Sequence, residues 1–319
     1  MRVRTPLTVA VASLGLIALP AGESSATTGS PAERIAFTAM GSEGSIFTVN
    51  PDGSGLRKLV SNASGAIWSP DRSRLVFSRH FPIGEDFRGD TIYRADLYSV
   101  RPDGSGVRLL TRAAAYPTWS RDGQSIAFVR GDFNLWTVRV DGSGERQLVK
   151  SDVEDSAWSP DGNWIAFSWY AKNFVEVWLI HPDGTGLRRL VKGKSVEGDS
   201  PAWAPDGRQV SFLGLSEDGL YVVGIDGRRL RQVATANSTN EWSPVGQRIL
   251  FERPNGLWVT RPDGRNTTRL ALRVSDPDWS PNGQSIAFIR QQKIHVMNSD
   301  GTGVRRVTTG SPAVAGLDW

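Results

Sequence analysis

From residue 31 onward the sequence alternates short apolar runs with polar turns, and the alternation has one period. A tryptophan ends one run in each period, at Trp68, Trp119, Trp158, Trp203, Trp242, Trp279 and Trp319. Successive spacings are 51, 39, 45, 39, 37 and 40 residues, which is the period of a four-stranded repeat. The clearest copy reads AWSPDGNWIAF at 157–167. Ser159, Pro160 and Gly162 suit the first, second and fourth places of a type I turn. Their apolar and β-branched flanks predict a hairpin of two strands, A and B. A second hairpin follows in each unit: strand C (LYSVR, LWTVR, VWLIH), an Asp-Gly turn, and a short basic strand D such as LRRLV.

Four antiparallel strands in each of seven units predict an all-β fold, a seven-bladed β-propeller. The first unit supplies only B, C and D, at 34–37, 46–50 and 56–60, and the last run supplies only A, ending at Trp319. The C-terminal strand is therefore expected to join the three N-terminal strands in one blade and close the ring. Arg188, Arg189, Arg305 and Arg306 of strand D read as charges that protect an exposed edge.

The W-S-P-D-G…I-A-F…D-G phrase, repeated over essentially all of 31–319, resembles the repeat of TolB-type β-propellers. Similar repeats occur in the propellers of the prolyl oligopeptidase group and of oligogalacturonate lyases. The resemblance implies a propeller fold and a TolB-like family. TolB itself resembles a six-bladed propeller behind a separate N-terminal domain, whereas this sequence reads as seven units without that domain. TolB's role in a Tol–Pal envelope system is therefore not part of the expectation.

Residues 1–26 differ in kind from the repeats. Arg2 and Arg4 precede an apolar run at 6–19, and small residues follow at Gly22, Ser24 and Ala26. This is the layout of a secretory signal peptide, so 27–319 is expected to be a single propeller domain, exported to the periplasm or the extracellular space as a monomer. The run falls short of the roughly 20 residues that cross a bilayer, and no second run follows, so no membrane span is expected. The sequence has no cysteine, which excludes disulfides and thiolate metal sites. Its net charge of +4 comes from arginines spread along the chain, a distribution that argues against nucleic acid as a partner.

Chemistry must be sought where the repeat is broken. Ten of the twelve tryptophans occupy strand A or one position of strand C and read as packing. Trp164 and Trp169 do not, and Trp169, beside Tyr170, is a candidate for ligand contact. His295 stands where other units carry an aromatic, His181 at a polar strand end, and His80 in an irregular region. Three histidines in three settings make no metal site, and no cofactor is implied. No G-x-S-x-G elbow and no D-x-D-x-D-G calcium loop occurs. The Arg-Gly-Asp triplets at 88–90 and 130–132 read as coincidence. No catalytic residue is assigned.

One acidic pattern remains. Asp155, Asp199, Glu241, Asp276, Asp278 and Asp318 cluster before the strand A tryptophans, the last step being Glu241, Asp278 and Asp318 in three consecutive units. Because strand A is innermost, these carboxylates are expected to ring the channel mouth formed by the B–C and D–A loops. A long B–C insertion at 80–95, HFPIGEDFRGDTIYRA, emerges on that face too, where repeat proteins carry specificity. The expected function is a non-catalytic module that binds a protein or peptide of the envelope or extracellular space. The alternatives are a glycan lyase or hydrolase using the same carboxylates as acid and base, or a carbohydrate- or cation-binding protein.

Overall fold

A computed structural model describes residues 33–319 apart from 42–43, 87, 132, 151, 172–173, 192–195, 216–217, 247 and 311–312. The signal peptide assigned to 1–26 lies outside the described residues. Blade 1 begins with β1 (Ile35–Ala39), β2 (Ser45–Val49) and β3 (Arg57–Ser61). Blade 2 is β4 (Ser64–Trp68), β5 (Leu75–Glu85), β6 (Thr91–Val100) and β7 (Arg108–Thr111). Blade 3 is β8 (Ala114–Trp119), β9 (Ser125–Arg130), β10 (Asn134–Arg139) and β11 (Arg146–Val149). Blade 4 is β12 (Val153–Trp158), β13 (Ile165–Ala171), β14 (Phe174–Ile180) and β15 (Arg188–Arg189). Blade 5 is β16 (Gly198–Trp203), β17 (Gln209–Gly214), β18 (Gly219–Gly224) and β19 (Arg231–Thr235). Blade 6 is β20 (Ser238–Trp242), β21 (Ile249–Arg253), β22 (Gly256–Thr260) and β23 (Thr268–Ala271). Blade 7 is β24 (Ser275–Trp279), β25 (Ser285–Arg290), β26 (Lys293–Asn298) and β27 (Arg305–Arg306).

The last strand, β28 (Val314–Asp318), pairs antiparallel with β1 and completes blade 1 in the order β28-β1-β2-β3. The protein is thus a seven-bladed propeller of four-stranded antiparallel sheets, closed by its C-terminal strand. Trp319 fastens the closure twice. Its backbone N–H donates to Asp278 at 2.6 Å and its indole N–H to the carbonyl of Glu33 at 2.7 Å.

Packing follows from the repeat. Phe37, Phe77, Phe128, Phe167, Phe212, Phe251 and Phe288, one per strand B, are all fully buried. Each faces a ring on strand C in register: Phe47, Tyr98, Trp136, Trp178, Tyr221, Trp258 and His295. His295 lies 5.5 Å from Phe288 and parallel to it, so its role here is that of an aromatic. The buried apolar clusters sit between blades. One joins Ala36, Ile46 and Val60 of blade 1 to Trp68, Leu75 and Phe77 of blade 2. Burial at about 25 cal/mol per Å2 makes these interfaces, not the single sheets, the main source of stability.

The arginines of strand D do more than cover an edge. Arg57, Arg146, Arg188 and Arg231 donate to backbone carbonyls at the C–D turn of the following blade, at Asp103, Asp183, Ile225 and Pro262. Arg305 reaches Pro51 in the same way across the closure. These clamps run in one direction around the ring.

Candidate functional site

Every innermost strand carries a β-bulge, seen as a register shift against strand B. At the third residue before the tryptophan, Gly65, Tyr116, Ser200, Thr239 and Asp276 adopt φ between 45° and 62°. A bulge adds an unpaired residue and re-aims its neighbours. It splits the predicted acidic residues into two tiers along the channel.

The first tier is the residue immediately before each tryptophan. Strand A runs from the D–A loop toward the A–B turn, so Glu241, Asp278 and Asp318 lie within β20, β24 and β28 at their A–B end. The expectation that they share a mouth with the B–C insertion is therefore corrected: they belong to the opposite end of the strand. Each takes a backbone N–H from the next blade. Glu241 accepts from Trp279 at 3.3 Å, Asp278 from Trp319 at 2.6 Å, and Asp318 from Trp68 at 2.8 Å. The equivalent positions in the other four blades are Ile67, Thr118, Ala157 and Ala202, so this tier is acidic on one side only.

The three carboxyls are enclosed by protein on most sides. Burial pushes Glu241 up to about 7, and a hydrogen bond joins it to Asp278. That contact needs a proton between the two groups. Burial and the neighbouring Glu241 raise Asp278 well above the carboxylate range. Burial, then Asp278, takes Asp318 to about 7.

The counter-charge comes from a residue that the sequence reading passed over. Arg72 occupies the place in the A–B turn held elsewhere by Gly123, Gly162, Gly207 and Gly283, and it adopts their positive φ, at 60°. Its guanidinium lies 4.9 Å from the Trp68 ring and acts favourably on Asp318 and Asp278. Both terminal nitrogens are buried without a hydrogen-bond partner. The signal was present in WSPDR against WSPDG.

The second tier lies toward the D–A loops. Burial, with the nearby Asp199 charge, takes Asp155 up to about 6. Its carboxylate accepts the Ser156 N–H at 2.8 Å and bonds to Ser200 of the next blade, whose carbonyl in turn accepts from Asn240 at 2.8 Å. Asp199 accepts the Ser200 N–H at 2.6 Å. Asp276 is exposed at the bulge of β24. Trp169 fills the slot taken in other blades by Arg79, Arg130, Arg253 and Arg290, which stack over the strand B phenylalanine. It packs on Phe167 and Trp178 and is not a free contact. Tyr170, the next residue, is exposed and stands at that end of β13. Trp164 is likewise engaged, tilted against His181 at 3.7 Å with Arg188 over it.

The insertion at 80–95 forms no irregular loop. β5 and β6 continue as a paired ribbon to Glu85 and Thr91, while β4 stops pairing at Ser78 and β7 at Leu97. The ribbon therefore projects past its blade on the D–A side. Phe81, Ile83, Ile92 and Tyr93 on it are 36–57% exposed. Arg94, in a two-point ion pair with buried Asp96, sits over Phe81 and stiffens its base. His80 is a strand residue contacting Ser64 at 3.0 Å.

Three surface clefts of about 570, 370 and 420 Å3 are each lined by no more than one carboxylate. Among the described residues, no group of three or more His, Cys, Asp or Glu is placed to hold a metal ion, and no helix is long and apolar enough to cross a membrane.

Comparison with known proteins agrees with this architecture. Dipeptidyl-peptidase 5 of Porphyromonas endodontalis is 24% identical over 160 residues, which is 48% of this chain but only 21% of that protein. TolB from Agrobacterium tumefaciens superposes with a TM-score of 0.50 at 16% identity, covering 88% of this chain and 91% of that one. An oligogalacturonate lyase solved in complex with manganese gives 0.60 at 14% identity, over 77% and 79%. At such identities the likeness is one of fold. The model of the TolB beta propeller domain matches residues 133–315, more than half of the chain, and the protein belongs to that family.

Proposed function

We propose that the protein is an exported, non-catalytic propeller that binds a protein or peptide of the cell envelope or extracellular space. The binding face is the D–A side, the end of the propeller that the β5–β6 ribbon shares with Asp155, Asp199, Asp276 and Tyr170. One observation supports this reading above the others: four large apolar side chains are displayed together on a ribbon that contributes nothing to the closure of its blade. Exposed apolar groups gathered in one place mark contact sites. The signal-peptide layout of 1–26 supports export.

The test is affinity capture from envelope extract with the purified chain, beside a Phe81/Ile83/Ile92/Tyr93→Ser variant. A partner identified by mass spectrometry with the native chain and absent with the variant supports the reading. Equal recovery by both removes the ribbon from it.

A glycan-active enzyme is the second reading. It is favoured by the raised carboxyls Glu241 and Asp318, which stand near 7 as a general acid does. Against it, all three carboxyls of that tier are engaged by N–H groups of the neighbouring blade. Reducing-end or unsaturated-product release from a panel of polyuronates and neutral glycans, abolished by Glu241→Gln, is the result that revives it.

A further inference from the structure

Among the described residues, the outer-rim strands are short and most are clamped, and the ribbon departs from that pattern. Strands β3, β7, β11, β15, β19, β23 and β27, at the outer rim, are two to five residues long, and most open with an arginine clamped to the next blade. Beyond Ser78 and Leu97, β5 and β6 pair only with each other, so each has an outer edge.

The two edges differ. That of β5 contains Pro82, which has no N–H to offer, and a register shift between Pro82 and Gly84 that bends it. Both features blunt an edge. That of β6 reads Thr91, Ile92, Tyr93 and Arg94, without proline, glycine or bulge. Thr91, Ile92 and Tyr93 have high strand propensity, and Ile92 and Tyr93 are exposed. Among the described residues, no backbone bond from another strand reaches 91–94 on that side.

An open, regular edge of this kind selects its occupant. Its unpaired N–H and C=O groups are met in full only by another extended backbone, and alternate side chains of the added strand then fall on the exposed apolar residues. Charge narrows the choice. The ribbon tip carries Glu85, Asp86 and Asp90 against a single cation, Arg88, while Arg94 is already neutralised by Asp96. Resting on the protein-binding reading above, we propose that the outer edge of β6 at 91–94 receives an extended peptide segment as an added strand, with alternating apolar residues and a basic flank that meets the acidic tip.

The test is selection of a phage-displayed library of random dodecapeptides on the full chain, followed by affinities for the enriched sequences as synthetic peptides. Enrichment of alternating apolar and basic sequences is expected. Methylating alternate backbone nitrogens of such a peptide should weaken binding about tenfold or more, the loss of at least one net hydrogen bond. This arm leaves the protein untouched, so it does not depend on how variants fold. Ile92→Pro should give a comparable loss, and Glu85→Lys with Asp90→Lys should remove the preference for basic sequences. If methylated and unmethylated peptides bind alike yet the Phe81/Ile83/Ile92/Tyr93→Ser variant binds neither, strand addition is wrong and the protein-binding reading stands. If no enriched peptide depends on the ribbon, strand addition falls and the ribbon is removed from the protein-binding reading.

Discussion

Arg72 and the three carboxyls of the inner tier form one electrostatic unit. Glu241 and Asp318 titrate near 7 in the folded chain, and Asp278 is raised too, whereas carboxyls of an unfolded chain titrate near 4. Between those values the unfolded chain releases protons that the folded chain keeps. Stability is therefore greatest at low pH with respect to this unit, and is lost as pH rises through about 7. Thermal melts should show Tm about 5–10 °C lower at pH 8 than at pH 5. Glu241→Gln keeps a hydrogen-bond partner for Trp279 and Asp278 but removes a charge, so it should raise Tm at pH 8 and flatten the profile. Arg72→Gly separates two effects. Relief of the left-handed backbone at a non-glycine residue favours the variant by about 1 kcal/mol, and this should dominate at pH 5. At pH 8 the variant should melt below the native chain, because Asp278 and Asp318 lose the favourable charge of Arg72.

At the scale of strands, the repeat made the fold legible and hid part of the site. Tryptophan, turn and strand B phenylalanine recur at fixed offsets, so blade number, strand order and the closure by β28 could all be read from spacing. The same offsets pick out the carboxylates but put three of them, Glu241, Asp278 and Asp318, at the wrong end of strand A. Counting back from tryptophan does not show that the residue is already inside strand A, nor that a bulge divides its positions into tiers. Trp169 reads as a candidate ligand contact because it lies outside the packing positions of strands A and C, and only the stack shows that it covers the same phenylalanine as the arginines of other blades. The insertion at 80–95 was legible as length but not as a ribbon, since Pro82, Gly84 and Gly89 obscure its pairing. Because the ribbon lies outside the inter-blade clusters, replacing 82–92 by a short turn should shift Tm by less than about 3 °C. A larger drop would show that the ribbon supports blade 2.

The ring as a whole depends on its junctions. Deleting 316–319 removes most of β28, the Trp319 bonds to Asp278 and Glu33, and Asp318's bond to Trp68. Loss of a packed tryptophan alone is worth about 3–5 kcal/mol, and each kcal/mol shifts Tm by about 2–4 °C in a chain of this size, so calorimetry should show a fall of about 10 °C or more. The one-way arginine clamps have a different consequence. Arg305 grips Pro51 across the closure as Arg57 grips Asp103 within continuous chain, so the clamps do not distinguish the junction where the polypeptide is interrupted. Chain continuity and ring continuity are separable. A circular permutant that links Trp319 to Glu33 and is cut in the D–A connection between blades 5 and 6, near Asn237, should assemble the same seven blades in a new order of synthesis.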